Sequence, residues 1–243
     1  MGSFIEEDYF IPPLSIYSLS FPNPRFACDE GLLAHGGDLQ PSRLLSAYSK
    51  GIFPWFNEGD PILWWSPNPR LVLYPQDIKV SKSFHKILKK KDYIVKFDTN
   101  FEAVIQNCAK IREQKEGTWL IKSMQEAYTK LHYMNHAHSV EVYKDEKLIG
   151  GLYFVSLGRA IFGESMFSLE SNASKIALKA LCDVAIEKGY DFIDCQVPTK
   201  HLQSMGAKLI DRDIFLEQLD NALVGKSNNI ESWKNYKWEY KNG

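Results

Sequence analysis

Two short stretches carry side chains suited to chemistry. IDCQ, residues 193–196, sets Asp194 and Gln196 two apart, and RAIFGESMFS, residues 159–168, sets Glu164 between Phe162 and Met166. On β-strands, the period of two puts Asp194 and Gln196 on one face with Cys195 on the other. It also gathers Ala160, Phe162, Glu164 and Met166 on one face. A carboxylate beside a neutral amide can orient a nucleophile, whereas a lone buried carboxylate is costly unless it is paired. Two readings therefore stand for each stretch. Asp194 and Gln196 form either a polar strand end near solvent or an orienting pair in an active site. Glu164 is either half of a structural ion pair or a group facing a ligand, with Met166 and Phe162 as its apolar wall or as ordinary core. No Cys–His signature accompanies Cys195, which is read as a core residue rather than a nucleophile.

Other chemistry finds little support. His35, His85, His132, His136, His138 and His201 form no metal-binding pattern, and there is no HExxH, P-loop or paired-carboxylate hydrolase motif. We therefore expect no metal and read the histidines as supporting or packing groups. The four cysteines, Cys28, Cys108, Cys182 and Cys195, contain no CxxC pair, which favours a reducing compartment over a disulfide framework or a zinc site. MGSFIEEDYF is acidic and lacks a long apolar run, so neither a signal peptide nor a membrane span is expected, and a cytoplasmic enzyme fits best.

The elements that must position these residues follow from periodicity. LVLYP (71–75), YIVKFD, HSVEVY, LIGGLYFVSLG, RAIFGESMFS and YDFIDCQV read as strands. PSRLLSAYSKG reads as a helix closed by Gly51, and residues 80–91 as a basic helix with Phe84, Ile87 and Leu88 as its apolar stripe. FEAVIQNCAKI, MQEAYTKLHYM and SNASKIALKALCDVAIEKG are helical by spacing. Ser171 or Asn172 is the expected cap of the last, and Gly189 its terminator. The stretch after HLQSMGAKLIDRDIF is polar and yields no assignment. The order is an antiparallel meander followed by a strand–helix–strand crossover. It predicts an α+β domain over 71–243 with a polar tail, behind a small lobe of ordered loops over 1–70.

Composition bounds the partners. The 243 residues carry a formal net charge of −1, so no global polyanion-binding character exists. Locally, however, seven lysines fall within residues 79–96, and a local field governs binding more than a sum does. Trp55, Trp64, Trp65 and Trp119 supply rings on which a nucleobase can stack, or simply core. The crossover turn SLESNASK has no glycine, which disfavours the pyrophosphate loop of a coenzyme A site.

Taken in order along residues 25–215, the motifs resemble those of the leucyl/phenylalanyl-tRNA–protein transferase family. They are GLLAHGGDLQPSRLLSAYSKGIFPWF (31–56), ILWWSPNPR (62–70), EGTWL (116–120), AHSVEVY (137–143), GESMFS (163–168), NASK (172–175), IDCQ (193–196) and HLQSMGA (201–207). The resemblance implies an acetyltransferase-like (GNAT-like) mixed-sheet domain behind a smaller N-terminal lobe. It implies transfer of Leu or Phe, less often Met, from Leu-tRNA or Phe-tRNA to the α-amino group of proteins or peptides with N-terminal Lys or Arg. In bacteria that product is marked for degradation. By the same resemblance, Gln196 engages the attacking amine and Asp194 orients it. Glu164 contacts the aminoacyl-adenosine end, Trp55 and Trp119 flank that end, and Met166 lines the pocket for the donor side chain. Thr199 is a further polar residue of the active site, and Lys82, Lys86, Lys89 and Lys90 belong to a basic cluster that contacts tRNA. The aminoacyl ester is already activated, so no cofactor, coenzyme A, ATP or metal is implied.

Overall fold

The computed structural model describes residues 10–116, 120–224, 233–234 and 236–241. Trp119, expected as an aromatic contact, lies outside these residues. The N-terminal part holds β1 (Pro13–Leu14), β2 (Leu32–Gly36), α1 (Pro41–Tyr48), β3 (Phe53–Pro54) and β4 (Leu63–Trp65), with the strands joined in the order β1-β2-β4-β3. The expected ordered loops are thus replaced by a four-stranded sheet. Its strands are too short and too proline-rich to show a period in sequence. α1 begins with Pro41 at its first turn, where a missing N–H costs nothing. Gly51 follows at φ +69°, and a Cβ there would lie 2.7 Å from Phe215 and 2.9 Å from Leu216. The turn therefore requires glycine both for its backbone and for the close approach of the helix that carries Phe215 and Leu216.

The larger sheet is built from β5 (Arg70–Leu73), β6 (Ile94–Phe97), β7 (Ala137–Lys144), β8 (Lys147–Leu157), β9 (Ala160–Ser168), β10 (Phe192–Gln196) and β11 (Lys208–Ile210), in the order β11-β5-β10-β9-β8-β7-β6. Among the described strands of this sheet, only β9 and β10 pair in parallel, joined by the crossover helix α5 (Ala173–Lys188). The remaining helices are α2 (Lys82–Lys90), α3 (Phe101–Glu116), α4 (Lys122–Tyr133), α6 (Lys200–Ser204) and α7 (Arg212–Leu223). The fold class is mixed α+β. β11 and α7 carry no sequence expectation, although Phe215, Leu216, Leu219 and Ala222 supply α7 with an apolar face.

Alternation along the strands divides the core between the two sheet faces. Val72, Tyr153, Phe162 and Phe192 join one cluster, with α1, α3, α4 and α7. Leu71, Phe154, Ile161 and Ile193 join the other, with α2 and α5. The first cluster also contains Leu33, Phe53 and Trp64, so the small sheet shares a continuous core with one face of the large one. Among the described residues no helix is long and apolar enough to cross a membrane.

Candidate active site

The site forms where two parallel strands part. β10 pairs with β9 only from Phe192↔Ala160 to Asp194↔Phe162. Beyond that register β9 continues while β10 ends, leaving a gap at the carboxyl ends of a parallel pair. Such a gap is a common place for ligands in α/β sheets. Both strands are irregular there. β8 pairs Tyr153 with Ser165 and Phe154 with Gly163, so Glu164 is the extra residue of a bulge. β10 shifts register against β5 between Asp194 and Gln196.

These bulges overturn the expected alternation. Phe162 and Ala160 lie in the cluster that contains Tyr48, whereas Met166 packs against the cluster on the opposite face of the sheet. Glu164 and Met166 do not share a face. They meet because the gap between the strands opens through the sheet, forming a cavity of about 320 Å³ that both of them line. Leu152, Leu178, Leu181 and Ile193 give it an apolar wall. Trp55, Gln196, Thr199 and His201 also border it.

Glu164 is 8% exposed, and among the described residues it forms no ion pair. Its Oε1 accepts hydrogen bonds from the Tyr48 hydroxyl at 2.8 Å and from the Gln196 amide Nε2 at 3.0 Å, and its Oε2 accepts one from the Tyr128 hydroxyl at 2.7 Å. Burial raises its pKa to about 7 against these three donors, with the Asp194 charge adding to the rise. Burial likewise pushes both tyrosine hydroxyls well above their ordinary value, reinforced by the Glu164 charge.

Asp194 does not border the cavity. It is fully buried, and its two oxygens accept from Arg70 Nε at 2.8 Å and Arg70 Nη2 at 2.6 Å, a bidentate pair. Asp194 Oδ1 also accepts the backbone N–H of Gln196 at 2.9 Å. Gln196 sits at φ 63°, a left-handed conformation that costs a non-glycine residue about 1 kcal/mol. The link from Asp194 to Gln196 thus runs through the main chain. It holds a strained residue whose side chain then turns to Glu164. The free negative charge expected beside Gln196 is neutralised by Arg70, whose guanidinium lies 4.8 Å from the Phe53 ring centre and 4.5 Å from that of Phe215.

Trp55 is 42% exposed at the cavity rim, and its carbonyl accepts the Trp65 indole N–H at 2.6 Å. Thr199 caps α6, its Oγ1 accepting the Leu202 N–H at 3.2 Å. Burial and the adjacent Asp194 charge raise the Cys195 thiol far above its ordinary range, which opposes a nucleophilic role. Lys82, Lys86, Lys89 and Lys90 are all exposed on α2, away from the buried Phe84 and Leu88. At the crossover, Asn172 makes no side-chain cap. Ser168 instead accepts the Ser174 N–H at 2.8 Å, occupying one of the α5 terminal amides.

Sequence reasoning missed Arg70, Tyr48, Tyr128 and His201. Tyr48 and Tyr128 sit at core positions of two helices, and periodicity reads such hydroxyls as apolar. Arg70 closes the quoted ILWWSPNPR motif, where a charge entering a buried strand was an available signal. His201 has a buried Nε2 without a hydrogen-bond partner, and burial, with Lys175 nearby, lowers its pKa. Among the described residues no group of His, Cys, Asp and Glu is placed to hold a metal.

An apolar cavity bordered by polar groups that can order a nucleophile is suited to group transfer, and sequence comparison defines the class. A family profile described as leucyl/phenylalanyl-tRNA protein transferase matches residues 72–220, and one for the N-terminal domain of the same transferase matches residues 37–68. A leucyl/phenylalanyl-tRNA–protein transferase of Sulfurimonas denitrificans is 50% identical over 94% of this chain and 97% of its own length. One of Nitrosomonas europaea is 55% identical over 81% of this chain and 84% of its own. A GCN5-related N-acetyltransferase from Kribbella flavida superposes with a TM-score of 0.36 at 8% identity, covering 68% of this chain and 59% of that one. The chain belongs to the leucyl/phenylalanyl-tRNA–protein transferase family, and it is an aminoacyltransferase.

Proposed function

We propose that the cavity between β9 and β10 holds the side chain of Leu or Phe, less often Met, while the ester of the charged tRNA lies at Gln196. The observation that carries this reading is the junction of an apolar cavity with a buried amide–carboxylate pair at the parting of the two strands. Met166, Leu178 and Leu181 surround the donor side chain. Trp55 at the rim stacks on the terminal adenosine, as Trp119 is expected to do, and Glu164 and Thr199 supply polar contacts at that end. Gln196 orients the incoming amine, and Asp194 acts as a positioning residue through the Gln196 main chain.

An aminoacyl ester already carries a good leaving group. The α-amine forms a C–N bond to the carbonyl carbon, the C–O bond breaks, and the ribose oxygen leaves with a proton. Orientation and preorganised hydrogen bonds are sufficient contributions from the protein, and the scheme uses no coenzyme A, ATP or metal. The acceptors in this reading are proteins with N-terminal Lys or Arg, marked by the transfer for degradation in the cytoplasm. The exposed lysines of α2 contact the tRNA backbone. A division at 70/71 into a small lobe and an acetyltransferase-like domain belongs to the same proposal. The small sheet ends at Trp65 and the large one starts at Arg70, one residue before that division, which supports it to within a residue together with the β9–α5–β10 crossover.

The test combines the chain with charged Phe-tRNA and a peptide beginning with Arg, and weighs the product. A gain of one Phe residue on the α-amine is expected. Unchanged peptide mass in the presence of intact Phe-tRNA would overturn the reading, as would a product modified elsewhere.

A further inference from the structure

Behind the Glu164 wall of the cavity, two tyrosine hydroxyls and a carboxylate stand closer together than their protons allow. The Tyr48 and Tyr128 hydroxyls lie 2.6 Å apart, and each also lies within 2.8 Å of a Glu164 oxygen. This triangle has three short O···O contacts. A hydroxyl brings one proton and an ionised carboxylate brings none, so two protons serve three contacts when Glu164 is charged. Both hydroxyls then point at Glu164, and the Tyr48–Tyr128 contact is two lone pairs face to face. One further proton, on Glu164, satisfies all three: Glu164 donates to one tyrosine, that tyrosine to the other, and the second back to Glu164. The triangle is a built vacancy for a single proton, in a pocket where an unsatisfied polar contact is expensive.

Gln196 joins the triangle to the groups that border the cavity, its Nε2 donating to Glu164 Oε1 at 3.0 Å. With its N–H side tied to Glu164, the amide has its oxygen as the atom that can accept a substrate N–H. We propose that the Tyr48–Tyr128–Glu164 triangle is the proton acceptor of aminoacyl transfer, reached through the Gln196 amide. This rests on the transferase reading above and goes beyond it, since the resemblance gives Glu164 only a contact role.

The step balances. The neutral α-amine attacks the ester carbonyl and the C–N bond forms. Its N–H proton passes to Gln196 Oε1 while the Gln196 Nε2 proton passes to Glu164. As the C–O bond breaks, its electron pair goes to the ribose oxygen, which takes the proton from Gln196 Oε1. Glu164 returns its proton to Nε2. The net transfer is one proton from nitrogen to the leaving oxygen, and every protein group is restored. The other titratable groups around Glu164 are Asp194, held by Arg70, Tyr153 on β8 edge-on to Tyr128 at 5.4 Å, and His201 across the cavity. None of these is in hydrogen-bond contact with Gln196 Nε2 among the described residues. The carboxyl value of about 7 agrees with a group that accepts and returns a proton near neutrality.

The experiment compares wild type, Glu164→Gln and Tyr128→Phe in single-turnover transfer from Phe-tRNA to an Arg peptide across pH, with Phe-tRNA binding measured alongside. Glu164→Gln keeps an acceptor for the Gln196 amide but cannot take a proton. Its transfer should fall by about a hundredfold, the scale of general-base loss, and by at least about tenfold more than its Phe-tRNA binding weakens. The ratio of wild-type to Glu164→Gln rates cancels the ionisation of the acceptor amine, and it should drop about tenfold from pH 8 to pH 6. Tyr128→Phe removes a donor to the carboxylate and should move that midpoint upward. A purely structural Glu164 would give a flat ratio or a variant within threefold of wild type, and either result overturns the proposal. Difference infrared titration needs no substrate. A protonated-carboxyl band that grows in below about pH 7 and vanishes in Glu164→Gln supports the triangle, and its absence overturns it even if transfer itself is not observed.

Discussion

Replacing Asp194 with alanine should injure the fold before it injures the chemistry. Arg70 and Asp194 are 1% and 0% exposed at the side chain and joined by two short hydrogen bonds. Removing one partner of such a pair strands the other charge and costs about 3–5 kcal/mol. Arg70 Nη1 already lacks a partner, so the stranded guanidinium has no alternative acceptor at hand. For a chain of this size each kcal/mol moves the melting temperature by about 2–4 °C, which gives a drop of roughly 6–20 °C. Urea unfolding and thermal melts read the loss directly. The double variant Arg70→Met with Asp194→Leu removes both charges and should recover most of that stability. It would not recover transfer, because Gln196 would still lack the carboxylate that holds its N–H. If Asp194→Ala melted within about 1 °C of wild type, the buried pair would not be the anchor described here. If the double variant transferred at the normal rate, the main-chain hold on Gln196 would be irrelevant.

Further outcomes are expected. Changing Lys82, Lys86, Lys89 and Lys90 together to Gln should weaken tRNA binding and flatten its logarithmic salt dependence by about three to four, read by filter binding between low and moderate salt. Leu178→Trp fills the cavity and should cut Phe transfer by at least about tenfold while leaving uncharged tRNA binding unchanged. Cys195→Ala should retain transfer, since the wild-type thiol stays protonated. Loss of activity beyond tenfold in a folded Cys195→Ala would reopen a covalent route. The wild type should also lose stability as pH rises from about 4.5 to 7. The native Glu164 pKa is raised, so the folded state binds the extra proton below 7 and the advantage is gone above it. Relative to wild type, Glu164→Gln should therefore gain about 2–3 kcal/mol between pH 5 and pH 8 in urea melts.

The large sheet, β11 apart, was legible because its other strands are long enough to show a period, and α5 because its spacing and its Gly189 terminator agree. The small sheet was not, since strands such as Phe53–Pro54 offer two residues each. Gln196 and Glu164 stood out as polar residues in apolar runs. Their geometry did not follow from alternation, because a bulge at each strand broke it. The partners of Glu164 were invisible for a different reason. Tyr48 and Tyr128 lie 80 residues apart in sequence and meet only when α1 and α4 pack on the same sheet face. Helical spacing predicts that a tyrosine is inside but not where its hydroxyl ends. Arg70 likewise gained meaning only from Asp194, 124 residues away.

The most direct test of the account is a crystal structure with a non-hydrolysable analogue of the donor, the phenylalanyl amide of 3′-amino-adenosine. The account places the phenyl ring among Met166, Leu178 and Leu181, the carbonyl carbon within reach of a nucleophile hydrogen-bonded to Gln196 Oε1, and the adenine at Trp55. An analogue bound outside the gap between β9 and β10, with its carbonyl remote from Gln196 and Glu164, would contradict it.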